Sequence, residues 1–356
     1  MNRSSDPYPP FFPHRQALNP KKRTPSPAKI GACHKIVAAM TRRTILGGLA
    51  ASAQLQQIAR AAEWKPRLGI LGPFSEANVR FAKEEGFTNM ILGATRGSTL
   101  DANKVTDSQI ETVKQTLARH QMHVSALQAS QDHIAADPDK RKQDNDYFVK
   151  LIELAGKLGI PYIGTSSGKN VAKPFEQQVD DIVRVYTERY FPACQTNKVR
   201  ILWEPYPGGA NVAISPYGFE ALFKGFGDSP HIGLQYDPSH LVWQMMDPIQ
   251  TARDFVDKIY DVHLKDTEVR WDVLRKVGIN PVNRAQWWLY RLPGLGSIDW
   301  AAFFTVLQRA GYQGAMSLEH EDSLYASPNR PGPDFNPDYA MGFKMAHRYL
   351  RQYVPE

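Results

Sequence analysis

From Lys65 onward the chain repeats one unit, a short apolar run followed by a stretch with helical patterning, eight times over. Parallel strands need a crossover of a dozen or more residues, usually a helix, so this alternation predicts βα units around a parallel sheet. The runs are 67–71, 89–92, 123–127, 162–165, 199–204, 232–237, 260–263 and 315–319. The helices expected between and after them are 75–85, 107–120 (capped by Asp107), 145–157, 174–195, 216–226, 248–258, 300–311 and 339–353. Eight such units match a (β/α)8 barrel. A doubly wound open sheet is the alternative. Against it, no G-x-G-x-x-G follows a strand, no Walker sequence occurs, and Gly72, Gly93 and Gly164 are isolated.

The last four runs each end in a side chain that can bind a metal: Glu204, Asp237, His263 and Glu319. In a parallel barrel the carboxyl ends of the strands converge on one face. Three carboxylates and one imidazole suit one divalent ion, Mn²⁺, Mg²⁺, Co²⁺ or Zn²⁺, and a carboxylate beside such an ion can move protons. A single acid at a strand end is more often a helix cap or a surface charge; four on successive strands point to a metal site. Glu204 and Glu319 are expected to stand on opposite sides of the mouth as the acid/base pair of a proton transfer through an enediolate.

Side chains alternate along a strand, so Lys265 shares a side with His263, Gln235 with Asp237, and Glu321 with Glu319. His240, three residues after Asp237, is placed to hydrogen-bond a substrate oxygen or to orient a ligand. Lys265 either polarises a substrate oxygen or pairs with Glu321. Asp266 reads as a turn or capping residue rather than a ligand. His133 reads as a loop histidine. Arg270 and Glu321 complete the candidate substrate-binding set.

The formal charge of +7 suggests a nucleic-acid partner until it is divided along the chain. Residues 1–61 carry 10 Lys or Arg and one acid, leaving 33 bases and 35 acids for the rest, a net charge of −2. The basic balance therefore belongs to the leader and is no footprint for DNA or RNA. Of the two cysteines, Cys33 lies in the leader and Cys194 reads as a small core residue, so the folded part has no internal disulfide.

Within the leader, Thr41-Arg42-Arg43-Thr44-Ile45-Leu46 precedes a weakly apolar stretch and Ala59-Arg60-Ala61. This resembles a twin-arginine export signal with small residues at the cleavage site, the alternative being a disordered basic tail. The apolar segment is short and broken by Gln54, Gln56 and Gln57, so no stable membrane span is expected. Residues 1–39 are read as a non-native extension, translation as starting at Met40, and residues 40–61 as a signal removed after Ala61. The twin-arginine machinery then becomes a partner and the periplasm the destination.

Two long loops leave the face that holds the four ligands. Residues 267–292 carry Trp271, Trp287, Trp288, Tyr290, Arg270, Arg284 and Arg291; residues 321–338 carry Tyr325, Pro328, Arg330, Pro331 and Pro333. They are expected to cover a small carbohydrate substrate, with aromatic faces for sugar rings, or to join a homo-oligomer.

The segments Trp203-Glu204-Pro205, Tyr236-Asp237-Pro238-Ser239-His240, Val262-His263-Leu264-Lys265-Asp266, Leu292-Pro293-Gly294-Leu295-Gly296-Ser297-Ile298-Asp299-Trp300 and Ser317-Leu318-Glu319-His320-Glu321 resemble the xylose isomerase-like barrel superfamily. Within it they are most similar to the sugar phosphate isomerase/epimerase group, with its ketose 3-epimerases and inosose-processing enzymes. The likeness covers nearly all of residues 65–353. It implies that Glu204, Asp237, His263 and Glu319 bind one divalent ion, that the two glutamates form the acid/base pair, and that His240 contacts substrate.

The apurinic endonucleases of this superfamily use further histidines on earlier strands and an Asp-x-His after strand seven. This chain has Leu127-Gln128-Ala129-Ser130 and Gly164-Thr165-Ser166-Ser167 at the earlier positions and no Asp-x-His after Lys265. Gly294-Leu295-Gly296 also departs from the epimerases' Gly-Glu-Gly, removing a polar contact. The leading expectation is a metal-dependent isomerase or epimerase of a non-phosphorylated sugar or polyol ketone. A lyase or dehydratase acting on a keto-sugar or 3-keto-glycoside is the alternative, and a non-catalytic secreted sugar-binding barrel is the second.

Overall fold

A computed structural model describes residues 64–227, 229–325 and 334–354. Ten strands are present among them: β1 (Arg67–Gly72), β2 (Asn89–Gly93), β3 (His123–Gln128), β4 (Tyr162–Thr165), β5 (Arg200–Trp203), β6 (Ile232–Tyr236), β7 (Ile259–Leu264), β8 (Asp266–Val269), β9 (Trp288–Arg291) and β10 (Ala315–Leu318). Strands β1 to β7 and β10 pair in parallel, and β10 returns to β1 to close a TIM barrel. β8 and β9 form a separate antiparallel hairpin in which Thr267 stands opposite Tyr290. The expected leader features, including cleavage after Ala61, fall outside the described residues, as do Pro328, Arg330, Pro331 and Pro333.

Strand alternation sorts the side chains. Trp203 on β5 points outward and packs its ring near Tyr186, Phe223 and Phe226, while Tyr236 on β6 stacks on Phe303. Their neighbours therefore point into the barrel. The interior below the mouth is polar: Asn89 Nδ2 donates to Ser125 Oγ and Ser317 Oγ, both at 2.9 Å, and Ser125 Oγ donates to Asp261 Oδ2 at 3.1 Å. Burial pushes the Asp261 carboxyl up to about 6, against the opposing pull of His263. Gly164 leaves room in this layer, because a Cβ there would collide with the side-chain oxygens of both Gln128 and Gln235.

The helices differ from the expected boundaries where chemistry overrides periodicity. Thr106, not Asp107, caps the helix Asp107–Arg119: its Oγ1 accepts from Gln109 N at 3.3 Å while the Gln109 side chain accepts from Thr106 N, a capping box. The helix Pro138–Leu158 begins seven residues before its expected start. Asp137 caps it and Pro138 occupies its first turn, and the solvated Lys140, Arg141 and Lys142 give that turn no apolar stripe. The helix expected over 174–195 is interrupted by a π turn, Tyr186–Tyr190, just before Pro192, which has no N–H to continue the ladder. The loop 267–292 contains the β8–β9 hairpin and the helix Trp271–Val277, both too short and polar to carry a periodic signal.

Cys194 is fully buried, and burial pushes its thiol up to about 12. His133 lies in a loop but is also fully buried, with Nδ1 2.9 Å from Tyr190 Oη; burial pushes it down to about 3. Both are packing residues. No helix among the described residues is long and apolar enough to cross a membrane.

Candidate metal centre and active site

Each expected ligand sits on or one residue beyond a strand end, on the inward side. Glu204 follows β5, Asp237 follows β6, His263 lies near the end of β7, and Glu319 follows β10. One ligand atom from each lies within 4.8 Å of all the others. Glu204 and Glu319 belong to strands three apart in the barrel order, with β6 and β7 between them. They therefore flank His263, with Nδ1 3.3 Å from Glu204 Oε1 and 3.1 Å from Glu319 Oε2, rather than facing each other across the full mouth as expected. The correction follows from closure: strands three apart in a ring of eight are separated by three-eighths of the circumference, short of opposite.

These residues fit a divalent ion. Both ring nitrogens of His263 and Oδ2 of Asp237 are buried without a hydrogen-bond partner. His263 Nδ1 lies among three carboxylates, yet none of the three contacts has hydrogen-bond geometry. Buried polar groups are almost always paired, and an orphan costs about 1–3 kcal/mol. Three oxygens and one nitrogen converging on a point, with orphaned atoms among them, form the donor set of a hard or borderline cation.

Burial works against charge at His263, but Glu319 and Glu204 outweigh it and hold the imidazole well above its usual range. Burial alone would raise the Glu204 carboxyl, yet His263 and His240 keep it well below the ordinary value. Glu319 is likewise buried, but Lys265 brings it down to about 2 despite the like charge of Glu204. Both glutamates are thus ionised at neutral pH.

Lys265, also buried, is held charged. Desolvation opposes this, but Asp237, Glu319 and Glu321 raise it well above the normal lysine range. Its Nζ donates to Glu319 Oε2 at 2.6 Å and Glu321 Oε2 at 2.8 Å, and lies 3.1 Å from Asp237 Oδ2. Of the two roles the sequence left open for Lys265, the pairing with Glu321 is present. His240 Nε2 is 3.2 Å from Glu204 Oε1 and 3.3 Å from Asp237 Oδ2, within reach of the cluster.

Asp266 stands apart from the four-residue cluster and ties down a turn, one of the two roles expected of it; Asp299 caps the helix Trp300–Ala310. The Asp266 carboxylate accepts from Thr267 N, Gly294 N, Ile298 N and Trp300 Nε1, tying β8 to the segment before the helix Trp300–Ala310. Gly294, at φ 87°, lies in the left-handed region that this turn requires. Arg270 lies at the far end of the hairpin, where its guanidinium donates to the Gln286 carbonyl at 3.2 Å. Among the described residues the structure brings it into no hydrogen bond with the cluster.

Two neighbours of the site escaped the sequence reading. Gln128 ends β3 and donates from Nε2 to Glu204 Oε2 at 2.7 Å; it obeys the same inward, strand-end rule as the ligands. Tyr290, read only as an aromatic loop residue, reaches His240 from β9, a contact that no sequence spacing reveals.

Residues 79–340 match the family model of the xylose isomerase-like TIM barrel. The YfiH protein of Bacillus subtilis (strain 168) is 31% identical over 245 residues, 60% of this chain and 76% of that protein. An inosose dehydratase of Clostridium tetani (strain Massachusetts / E88) is 34% identical over 105 residues, but the match spans only 28% of this chain and 35% of the dehydratase. The crystal structure of a 3-keto-D-glucoside 4-epimerase from E. coli superposes with a TM-score of 0.60 at 16% identity, over 81% of this chain and all of that one, a likeness of fold. The family model covers most of the barrel, ligand strands included, and the chain belongs to the xylose isomerase-like TIM-barrel family.

Proposed function

We propose that the protein is a divalent-metal-dependent isomerase or epimerase of an uncharged sugar or polyol ketone, working by proton transfer through an enediolate. The observation that carries this reading is the pair of ionised glutamates flanking one imidazole inside a cluster with orphaned ligand atoms. Glu204, Asp237, His263 and Glu319 would hold the ion. When bound, it supplies Lewis-acid polarisation of a carbonyl and its neighbouring hydroxyl. One glutamate takes the proton from the carbon beside the carbonyl and passes it to water, while the other, ionised at rest, takes a proton from water and delivers it to carbon. His240 and Lys265 donate to substrate oxygens that gain charge.

The charge balance supports an uncharged substrate. Four carboxylates, Glu204, Asp237, Glu319 and Glu321, face one ammonium, Lys265, so the site stays net negative even with a divalent ion. A phosphate or carboxylate would enter against that field. Replacing Glu319 with Gln should abolish exchange of the substrate's carbon-bound protons with D₂O, followed by NMR over a panel of free sugars and 3-keto-glycosides. Unchanged exchange overturns the assignment.

A second reading, β-elimination from a keto-sugar, is supported by Lys265. An ammonium 2.6 Å from Glu319 sets an acid beside a base, and it can protonate a departing oxygen. Product mass separates the two: unchanged for isomerisation, lower by the leaving group for elimination. We also propose that residues 40–61 direct export by the twin-arginine route; amino-terminal sequencing of the protein recovered outside the cytoplasm should begin near Ala62, and a chain retained inside overturns it.

A further inference from the structure

The β8–β9 hairpin delivers Tyr290 to the edge of the cluster, and the hydrogen bonds there form a directed chain. Trp243 Nε1, which can only donate, lies 3.2 Å from Tyr290 Oη. Tyr290 Oη lies 2.9 Å from His240 Nδ1, and His240 Nε2 lies 3.2 Å from Glu204 Oε1, which as a carboxylate can only accept. The two ends fix the middle. With Trp243 donating to it, the Tyr290 hydroxyl has its own proton free for Nδ1, leaving Nε2 as the N–H that donates to Glu204.

The opposite tautomer leaves more unpaired. Nδ1–H would donate to Tyr290 Oη, the Tyr290 proton would have no acceptor among the described residues, and Glu204 Oε1 would lose its His240 donor. That tautomer gains only a contact from Lys265 Nζ at 3.3 Å, a group that already donates to Glu319 and Glu321 and lies 3.1 Å from Asp237 Oδ2.

The ring of Tyr290 is held independently of its hydroxyl. Lys265 Nζ lies 4.5 Å from its centroid, Trp288 packs at 4.9 Å, and Trp288 stacks on Trp243 at 4.7 Å and 7°. Arg291, next in the strand, pairs with Glu268 across the hairpin and with Asp322 at 2.9 Å.

We infer that Tyr290 is a positioning residue that locks His240 with its Nε2–H directed at the cluster, so that the nitrogen at the edge of the site is a hydrogen-bond donor. The hairpin is thereby part of the reaction site and not only its cover. Only the expected rate effect rests on the proposed function; the tautomer is a property of the protein alone.

The test is long-range ¹H–¹⁵N correlation NMR of the full chain labelled with ¹⁵N-histidine, with Mg²⁺ added, and with the His240 signals identified by their loss in His240→Gln. The wild type should show the Nε2–H pattern. Tyr290→Phe keeps the ring and removes the hydroxyl. It should populate the Nδ1–H form and lower kcat about 10- to 100-fold, the range for residues that orient others in a site. Mg²⁺ affinity should change less than about threefold, since the four candidate ligands are untouched. An Nδ1–H pattern in the wild type, or an unaltered Nε2–H pattern in Tyr290→Phe, overturns the inference. Should the variant fail to fold, the wild-type spectrum decides by itself. Should no sugar be turned over, the proposed function fails while the tautomer is still read.

Discussion

Lys265→Met tests the electrostatics of the mouth, because methionine keeps most of the stem and removes only the charge. Lys265 is 1% exposed and touches Glu319, Glu321 and Asp237, so its loss leaves buried carboxylates facing one another. Removing one partner of a buried ion pair costs about 3–5 kcal/mol. The Glu321 contact is screened, its side chain being 37% exposed, so Glu319 and Asp237 carry most of the loss. In a domain of this size each kcal/mol moves Tm by about 2–4 °C, so the variant should melt on the order of 10 °C lower in EDTA.

The pH dependence has a definite sign. Glu319 has its carboxyl lowered to about 2 in the fold, so its pairing contributes stability above the unfolded value near 4.5, and that contribution is lost as pH falls through about 2. The deficit of the variant should therefore be largest above about pH 4.5 and fade toward pH 2. Adding Mn²⁺ should narrow it, since the ion replaces lost positive charge, and Glu321→Gln in the same chain should restore part of it by removing a like charge. Differential scanning calorimetry across pH provides the readout. A Tm within about 2 °C of the parent in EDTA near neutral pH refutes the account.

Three further outcomes follow from the same geometry. His263 has its basicity raised in the fold, so in the metal-free protein its pairing stabilises below the unfolded value near 6.5 and is lost as pH rises through the higher folded value. Mn²⁺ binding near pH 7 should therefore release about one proton, seen as a buffer-dependent heat in titration calorimetry; a buffer-independent heat contradicts it. Gly164→Ala should push Gln128 off Glu204 and weaken Mn²⁺ binding about 10- to 100-fold in the same titration, with tight binding retained only if the glutamine has no part in orienting Glu204. Asp266→Ala strands four donors and should cost about 3–5 kcal/mol in denaturant unfolding, a loss under about 1 kcal/mol showing that the segment does not depend on this carboxylate.

The barrel and its four candidate ligands were legible because each leaves a local signature. A ligand at a strand end stands where an apolar run stops, as Glu204 does after Trp203, and parallel connection rules bring such ends together. The inward direction of Lys265 followed from its two-residue offset from His263. The polar floor of the barrel was hidden, since Asn89, Ser125, Asp261 and Ser317 sit singly inside runs that look apolar as a whole. Gln128 obeyed the strand-end rule but is neither acidic nor a histidine, so its hold on Glu204 appeared only with the coordinates.

The sequence by itself determined the parallel barrel, the strand-end positions of the four clustered residues and the side of the sheet that each takes. These depend on a period of two, on the length of each crossover and on the chirality of strand connections, all of them properties of short stretches of chain. The tertiary structure decided that Glu204 and Glu319 flank His263 rather than stand opposed, that Lys265 bridges three carboxylates, and that Tyr290 caps His240. Those facts depend on how far the barrel turns between strands and on where a hairpin fifty residues along the chain from His240 comes to rest. Hydrogen bonds and ion pairs reach only a few ångströms, so the contacts that set protonation at this site arise only when closure brings distant segments within that range.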